Sequence, residues 1–219
     1  MYAVITGDLI DSTKYTIHDL DLVLDTLNHE FKVLCQQHQS ADFKIFRGDS
    51  FQGITLEPGD ALYLSLAIKS AINKLKLTAK KPSGLPDLRI AIGVGSVNLK
   101  RSSILESNGE AFQYSGKTLD TMKGDYPRLL LKTVNKEFDE EFNVHFSLLD
   151  SVTSKWSRES AEVVYYVLRG YKEREIAEEL GIYQSAVNQR KKAANWDSIA
   201  LLLKRFKNVI SSFNEHGSQ

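Results

Sequence analysis

The sequence predicts an α+β protein in which a sheet-containing domain is followed by a small all-α domain. Short apolar runs typical of strands occur among helical segments up to about residue 135, and only helical segments follow from residue 157. Hydrophobic residues make up 42% and charged residues 26% of the 219 residues, an ordinary composition for a soluble globular chain. The chain is therefore long enough and apolar enough to bury a core.

The first strand and the first helix open the N-terminal domain. Residues 2–6 are rich in β-branched and aromatic side chains and run into Gly7, which predicts a buried strand that opens into a loop. Thr16 stands three residues before Asp19, much as in a capping box, and apolar residues at helical spacing follow to about Gln39.

A hairpin and a second helix come next. Apolar runs at 43–46 and 51–56 flank Arg47–Ser50, where Gly and Asp predict a tight turn. Pro58 lies near the first position of the second predicted helix. The apolar stripe of that helix consists of Ala61, Leu64, Ile68, Ala71, Ile72 and Leu75.

The next strand, at 88–97, completes the order strand, helix, strand, strand, helix, strand, which is that of the ferredoxin-like fold. Within it, Gly93 and Gly95 suggest bulges or the close approach of another backbone. In this fold the third strand lies antiparallel between the first two. Asp8 and Asp49 are therefore expected to face each other at one edge of the sheet.

Three further segments lead to the second domain. A helix at 108–123 and a strand at 128–134 would extend the sheet, and a connecting helix is expected at 136–156. We therefore place the sheet domain at residues 1–135 and the all-α domain at residues 157–219.

The second domain has the pattern of a helix-turn-helix. A helix that follows Ser157 stops at Gly170, a residue suited to a helix C-terminus. A short helix at 173–180 ends at Gly181, and another helix begins near Tyr183.

The charge of the chain is balanced overall but clustered locally. Lys and Arg total 28 and Asp and Glu total 28, so no global field attracts nucleic acid or membrane. Residues 184–207 nevertheless hold six basic residues and one acid, Asp197, which leaves a local charge of +5. The six are Arg190, Lys191, Lys192, Lys204, Arg205 and Lys207.

The two carboxylates expected at the sheet edge suggest a metal site. Asp8 and Asp49 could hold Mg²⁺ or Mn²⁺ against a triphosphate, because hard cations prefer oxygen ligands. The backbone of Asp8–Thr13 could cradle the phosphates. The alternative is that Gly7 and Gly48, each followed by Asp, simply mark turns.

Four segments resemble motifs of class III nucleotide cyclases and follow one another in the same order. Asp8–Thr13 resembles the first metal-binding motif, and Phe46–Asp49 resembles the Gly-Asp hairpin. Leu88–Gly95 is similar to a strand motif of these enzymes and Gly109–Lys117 to a helix motif.

This resemblance implies a metal-dependent nucleotide site with Asp8 and Asp49 as metal ligands and Mg or Mn as the cofactor. The cyclase Asn and Arg, which orient the sugar and stabilise the transition state, fall on Gln113 and Lys117. Lys is a point charge where Arg offers a planar fork, so binding or altered chemistry is implied more than ordinary cyclisation. The implied contacts to a purine triphosphate or cyclic nucleotide are Leu9, Ile10, Asp11, Ser12, Thr13, Arg47 and Gly48.

The segment 170–190 resembles the DNA-reading segments of LuxR-type regulators and of sigma-factor region four. Gln and Asn can address adenine edges in the major groove, and lysines can contact phosphates. The implied DNA contacts are Gln184, Ser185, Asn188, Gln189, Lys191 and Lys192. The alternative is a protein-interaction module with a solvated basic face.

Together with the start Tyr2–Asp8, these motifs most closely resemble the SatD family, a bacterial group. They predict a DNA-binding transcriptional regulator with a cyclase-like nucleotide sensor. An active nucleotidyl cyclase and a catalytically dead protein-interaction scaffold are the alternatives. Since cyclase domains and helix-turn-helix readers both work as two-fold pairs, a homodimer is expected.

The location is expected to be the cytoplasm. The first residues lack a basic and apolar leader, and no apolar run approaches the roughly 18 residues of a membrane span. Cys35 is alone and cannot form a disulfide within the chain.

Overall fold

The computed structural model describes residues 1–46, 48–78, 85–98, 107–122, 124 and 126–216, with side chains to residue 212. Its strands are β1 (Tyr2–Leu9), β2 (Ala41–Phe46), β3 (Ser50–Thr55), β4 (Leu88–Gly95) and β5 (Leu129–Lys132). Its α-helices are α1 (Ile17–Gln37), α2 (Ala61–Asn73), α3 (Glu110–Thr121), α4 (Lys136–Thr153), α5 (Arg158–Leu168), α6 (Glu173–Leu180), α7 (Gln184–Ala193) and α8 (Trp196–His216). Short 3-10 turns occupy Ser12–Lys14 and Pro58–Asp60.

The strands form one sheet in the order β2-β3-β1-β4-β5. β1 lies between β3 and β4 and is antiparallel to both, β2 is antiparallel to β3, and β5 is parallel to β4. The third strand therefore lies between the first two, as the sequence predicts. β1 is longer than predicted and continues to Leu9, because β4 pairs with it along its whole length. Asp8 consequently lies within the strand and not in the loop that follows it.

Helix α1 begins where its capping residue predicts. The hydroxyl of Thr16 accepts a hydrogen bond from the backbone N–H of Asp19 at 3.1 Å. This bond satisfies one of the N–H groups that a helix start leaves without a partner. The helix then lays Val23, Leu27 and Phe31 into the main core.

Helix α2 is buried on nearly all sides, whereas the sequence predicts a single apolar stripe. The sheet and α1 cover one side, and α5 and α8 cover the rest. Polar residues of α2 are therefore buried as well, and they include Ser65, Lys69, Ser70 and Asn73. The stripe underestimates the burial because it takes no account of helices that return from the far end of the chain.

Helix α3 packs against the opposite face of the sheet at very short range. A Cβ atom on Gly93 would lie 2.2 Å from the carbonyl oxygen of Ala111 and 2.5 Å from the N atom of Ser115. The close backbone approach predicted for this glycine is confirmed. The hydroxyl of Thr6 also donates to that of Ser115 at 2.9 Å, which ties α3 to β1.

Helix α4, predicted as a connecting helix, packs onto the outer strand of the sheet. The side-chain amide of Asn143 accepts from the N–H of Leu131 at 2.8 Å and donates to its carbonyl at 3.0 Å. The edge of β5 thereby gains the hydrogen bonds that a further strand would give. Phe138, Phe142 and Phe146 enter the main core from the same helix.

The C-terminal helices form a small cluster that joins the main core. Val163, Ile176 and Val187 meet between α5, α6 and α7. Phe206 and Ile210 of α8 belong to the main core, while Leu201 of the same helix is 70% exposed.

The division into two domains is not tested by this packing and stays a prediction. None of the helices in the described ranges has the length and apolar character that crossing a membrane requires.

Candidate functional site

The predicted carboxylates come together where β1 ends and the β2–β3 hairpin turns. Asp8 lies opposite Ser50 in the β1–β3 ladder. The N–H of Leu9 donates to the carbonyl of Asp49 at 3.1 Å. One edge of the sheet therefore holds Asp8 and Asp49, as the topology predicts.

A guanidinium group binds both carboxylate oxygens of Asp8. Arg89 lies directly opposite Asp8 in the β1–β4 ladder, and its Nε donates to Oδ1 at 3.0 Å and its Nη2 to Oδ2 at 2.7 Å. Such a two-bond pair of Arg and carboxylate is among the stronger polar contacts in proteins. The remaining guanidinium nitrogen of Arg89, Nη1, donates to the carbonyl of Met122 at 2.9 Å.

The sequence analysis did not predict this role of Arg89, which it includes only as one residue of the strand motif Leu88–Gly95. The available signal was a lone charge in an otherwise apolar strand, on the face that alternation also gives to Gly93. Burial raises the pKa of Asp8 above its usual value in spite of Arg89, and the negative charge of Asp49 adds to the rise.

Asp49 is bound by hydroxyl groups. Ser12 Oγ donates to its Oδ2 at 2.6 Å, and Ser50 Oγ donates to Oδ1 at 3.3 Å. The Ser12 contact holds the loop after β1 against the hairpin, so the first two cyclase-like motifs touch each other here.

Only part of the predicted phosphate loop can face a ligand. The side chain of Leu9 lies in the core, and its N–H is engaged by Asp49. The N–H of Ile10 donates to the carbonyl of Asp87 at 3.0 Å. Asp11 adopts a left-handed conformation at φ 58° and leads into the turn at Ser12–Lys14.

The N–H groups of Ser12 and Thr13 begin that turn, and the first N–H groups of a helical turn have no partner within it. At the hairpin tip Gly48 has a φ of 77°, with no atom near its missing Cβ. Arg47 lies outside the described residues.

A cleft of about 510 Å³ opens between this edge of the sheet and α3. Its polar lining on the sheet side comes from Thr6, Asp8, Ser50, Gln52 and Arg89, and α3 contributes Gly116, Leu119 and Asp120. Phe46 and Met122 complete it. The cleft therefore combines charged groups with an apolar wall.

Gln113 and Lys117 do not reach this cleft. Helix α3 turns Ala111, Phe112 and Ser115 toward the sheet, whereas Gln113 and Lys117 are exposed. The two exposed residues are four positions apart and so share the face that points away from the sheet. A single chain therefore does not bring them to Asp8.

The arrangement at Asp8 and Asp49 does not fit a ready two-carboxylate metal centre. Carboxylate oxygens are suitable donors for Mg²⁺ and Mn²⁺, but both oxygens of Asp8 are engaged by Arg89. In the described part of the chain, no group of three or more His, Cys, Asp or Glu side chains is placed to hold an ion. Metal binding by these residues stays a prediction.

The family model that describes the SatD family matches residues 2–210. The chain belongs to the SatD family. A comparison with curated proteins gives no match.

Among solved structures, a bacterial light-regulated adenylyl cyclase is similar over 59% of this chain and 42% of that chain, with 18% identity and a TM-score of 0.44. The match thus spans less than half of that protein. The guanylate cyclase domain of RhGC from Catenaria anguillulae, in complex with GTP, is similar over 56% of this chain and 73% of that chain, with 16% identity and a TM-score of 0.40. For the guanylyl cyclase Cya2 the values are 56%, 71%, 15% and 0.41. Likeness at this level assigns no function.

The second candidate surface of this SatD family member is helix α7. Gln184, Ser185, Gln189 and Lys192 are exposed on it. Asn188 and Lys191 are half-buried and turn back toward α6.

Glu173, the first residue of α6, receives these side chains. Lys191 Nζ lies 2.8 Å from its Oε1, and Asn188 Nδ2 lies 3.4 Å from the same atom. The hydrogen bond from Lys191 is the main cause that lowers the pKa of Glu173, and bonds from Asn188 and Gln184 add to it. Two of the six predicted DNA contacts, Asn188 and Lys191, therefore meet one carboxylate of the same chain.

The local charge of +5 is also reduced at the surface of the SatD chain. Acids from other elements lie beside four of the six basic residues in 184–207. The pairs are Arg190–Glu162 at 3.7 Å, Lys191–Glu173 at 2.8 Å, Arg205–Glu141 at 3.6 Å and Lys207–Asp60 at 2.8 Å. A count along the sequence overstates the basic patch because it omits these neighbours in space.

Proposed function

We propose that the cleft between the sheet and α3 binds a purine nucleotide, either a triphosphate or a cyclic nucleotide. The observation that carries this proposal is the gathering of Asp8, Asp49 and Ser12 beside a cleft of about 510 Å³. Small-molecule sites have volumes of roughly 300–1,000 Å³. The order of the four cyclase-like motifs supports the same residues.

The phosphates would lie against the turn at Ser12–Lys14, which the N–H groups of Ser12 and Thr13 begin. Mg²⁺ or Mn²⁺ belongs to the proposal, with Asp49 and Asp8 as the oxygen ligands. Arg89 must leave Asp8 before that carboxylate can take a cation.

Cyclisation of a triphosphate is the more demanding form of this proposal. It requires Gln113 and Lys117 beside the reacting atoms, yet both are exposed on the far side of α3. A homodimer in which one copy offers its α3 to the cleft of the other would meet this requirement. An active cyclase then predicts a cyclic product that disappears in Asp8→Ala and in Asp49→Ala.

The test is calorimetric titration of ATP and GTP with Mg²⁺ or Mn²⁺ into the wild type and the Asp49→Asn variant. Asp25→Asn is the matched control, because Asp25 is exposed on α1, outside the cleft. We expect binding by the wild type and the control that is lost in Asp49→Asn. Chromatography of the same mixtures detects any cyclic product. Equal binding by all three proteins, or binding by none, contradicts the proposal.

The second candidate function is DNA binding through α7, which would make the protein a cytoplasmic transcriptional regulator with domains at 1–135 and 157–219. The observation that favours it is the pair α6 and α7, joined through Gly181 in a left-handed conformation at φ 63°. Polarisation of a labelled duplex at low salt tests it. We expect binding that weakens in Lys192→Ala, because phosphate contacts supply much of the affinity.

The two activities would be coupled if nucleotide occupancy changes the DNA-binding state. The test is to measure the DNA affinity in the presence and in the absence of each nucleotide. An affinity that no nucleotide changes contradicts the coupling. A protein-interaction scaffold, the remaining alternative, predicts neither nucleotide nor DNA binding.

A further inference from the structure

The cation of Arg89 and a divalent cation compete for the same oxygens. Arg89 holds Oδ2 of Asp8 at 2.7 Å and Oδ1 at 3.0 Å, which leaves neither carboxylate oxygen without a charged partner. A metal ion on Asp8 would lie within a few ångströms of the guanidinium, where two positive charges repel strongly in a partly buried site. Both groups cannot be bound to Asp8 at full strength at the same time.

The position of Arg89 allows it to change partner. Its side chain is 24% exposed and that of Asp8 is 23% exposed. Both residues line the cleft in which we place the nucleotide. Guanidinium groups bind phosphate as well as carboxylate through the same planar fork. A phosphate that enters the cleft therefore offers Arg89 a second anionic partner.

We propose that Arg89 is an exchangeable internal cation that holds Asp8 in the empty cleft and moves to a nucleotide phosphate on binding. The move would free Asp8 for a divalent cation. Nucleotide and metal would therefore bind cooperatively, and each would raise the affinity of the other by the same factor. This inference rests on the proposed nucleotide site. In it, Arg89 is the residue that couples nucleotide binding to metal binding.

The competing explanation is structural. Arg89 also donates to the carbonyl of Met122, so its ion pair with Asp8 could serve only to brace the end of α3 against the sheet. In that case the guanidinium would stay on Asp8 when a nucleotide binds, and a triphosphate would not raise the Mn²⁺ affinity of the wild type.

The test is a titration with Mn²⁺, followed through the electron paramagnetic resonance signal of the free ion, in the absence of nucleotide. The wild type is compared with Arg89→Met, which removes the charge and keeps the aliphatic stem, and with Arg89→Lys, which keeps a charge and loses the fork. Arg174→Met is the control, because Arg174 is 84% exposed and pairs with Glu178 on α6. Thermal unfolding of each variant checks that it is folded.

We expect Arg89→Met to bind Mn²⁺ about tenfold more tightly than the wild type, within the range of ordinary coupling between sites. The double variant Asp8→Asn/Arg89→Met should lose the added affinity, which would locate the ion at Asp8. A triphosphate should raise the Mn²⁺ affinity of the wild type and have much less effect on Arg89→Met. Arg89→Lys should fall between the two.

Equal Mn²⁺ affinity in the wild type, Arg89→Lys and Arg89→Met overturns the inference, because Arg89 and the ion then do not compete. If Arg89→Met binds the ion more tightly but a triphosphate leaves the wild-type affinity unchanged, the inference is also overturned, and Arg89 is a fixed structural brace. If Arg89→Met is unfolded, Arg89→Lys decides the question alone, because its single ammonium cannot hold both oxygens of Asp8. If no nucleotide binds to the wild type, the proposed function fails and cooperative binding fails with it. The nucleotide-free titration then still decides whether Arg89 and the metal compete.

Discussion

The buried ion pair between α1 and α5 gives the sharpest prediction about stability. Arg169, just after α5, pairs through Nη2 with Oε2 of Glu30, and the two side chains are 11% and 1% exposed. The guanidinium carbon of Arg169 also lies 3.5 Å above the ring of Tyr165. Glu30 Oε1 and Arg169 Nη1 have no hydrogen-bond partner among the described residues. The pair is thus buried and incompletely satisfied.

The substitution Arg169→Met removes the cation and retains much of the packing volume. It leaves the carboxylate of Glu30 buried without a counter-ion, which typically costs about 3–5 kcal/mol. For a chain of this length, that loss corresponds to a fall in Tm of roughly 2–4 °C for each kcal/mol. Arg158→Met is the control, since Arg158 and Glu159 form an exposed pair, and such pairs contribute about 0–1 kcal/mol.

The destabilisation should depend on pH. Burial raises the pKa of Glu30 and Arg169 lowers it, so the net shift is upward and removal of Arg169 raises the pKa further. A raised carboxyl pKa favours the folded state below the unfolded pKa, and this contribution is lost as the pH rises through the folded pKa. The deficit of Arg169→Met should therefore be larger at pH 8 than at pH 5.

Urea unfolding followed by circular dichroism measures these differences. The double variant Glu30→Gln/Arg169→Met should recover much of the loss, because it removes the buried charge together with its partner. The reasoning is refuted if Arg169→Met costs less than about 1 kcal/mol at neutral pH, the value of an exposed pair. It is also refuted if the double variant is no more stable than the single one.

Three further predictions concern α3, the buried cations and α7. Gly93→Ala should cost about 1–3 kcal/mol in urea unfolding, because its Cβ would meet the backbone of α3 at 2.2 Å, while Gly116→Ala, with open space around it, should be near neutral. Asp87 is buried between the cations of Lys69 and Arg128. Burial acts to raise its pKa, but the two cations hold that pKa below its usual value, so the stability that its charge contributes is present above the unfolded pKa and is lost on acidification. Asp87→Asn should therefore lower the free energy of unfolding by about 3–5 kcal/mol at neutral pH and flatten the acid limb of the stability curve. Glu173→Gln should release Lys191 and steepen the salt dependence of any DNA binding by about one charge, and an unchanged slope would show that this lysine does not reach phosphate.

Local signals explain why so many elements could be predicted from the sequence. The cap at Thr16 and the helix ends at Gly170 and Gly181 depend on a few neighbouring residues, and the structure has them as predicted. The sheet order follows from the order of strands and helices. The all-round burial of α2 and the neutralisation of the basic stretch depend instead on helices that pack from distant parts of the chain.

The candidate site shows the same limit of prediction from local sequence, here for individual side chains. Motif matching finds Asp8 and Asp49 because each lies in a short recognisable segment. It does not find that Arg89, 81 residues away, holds Asp8, since only the register of β1 against β4 creates that pair.

The positions of the predicted site residues in the fold also bear on what the protein does. The described residues among those predicted to bind the nucleotide lie at one edge of the sheet, whereas Gln113 and Lys117 occupy the outer face of α3. A chain that carries these four motifs in the right order can therefore fold with its predicted binding residues and its predicted catalytic residues on two separate surfaces. The proposed nucleotide binding would need only the first surface, but turnover would need both. Asp8 adds a second requirement, because its carboxylate is already neutralised by Arg89. The proposed nucleotide binding therefore requires less of the folded chain than the proposed turnover, which would also need a second copy and the release of Asp8.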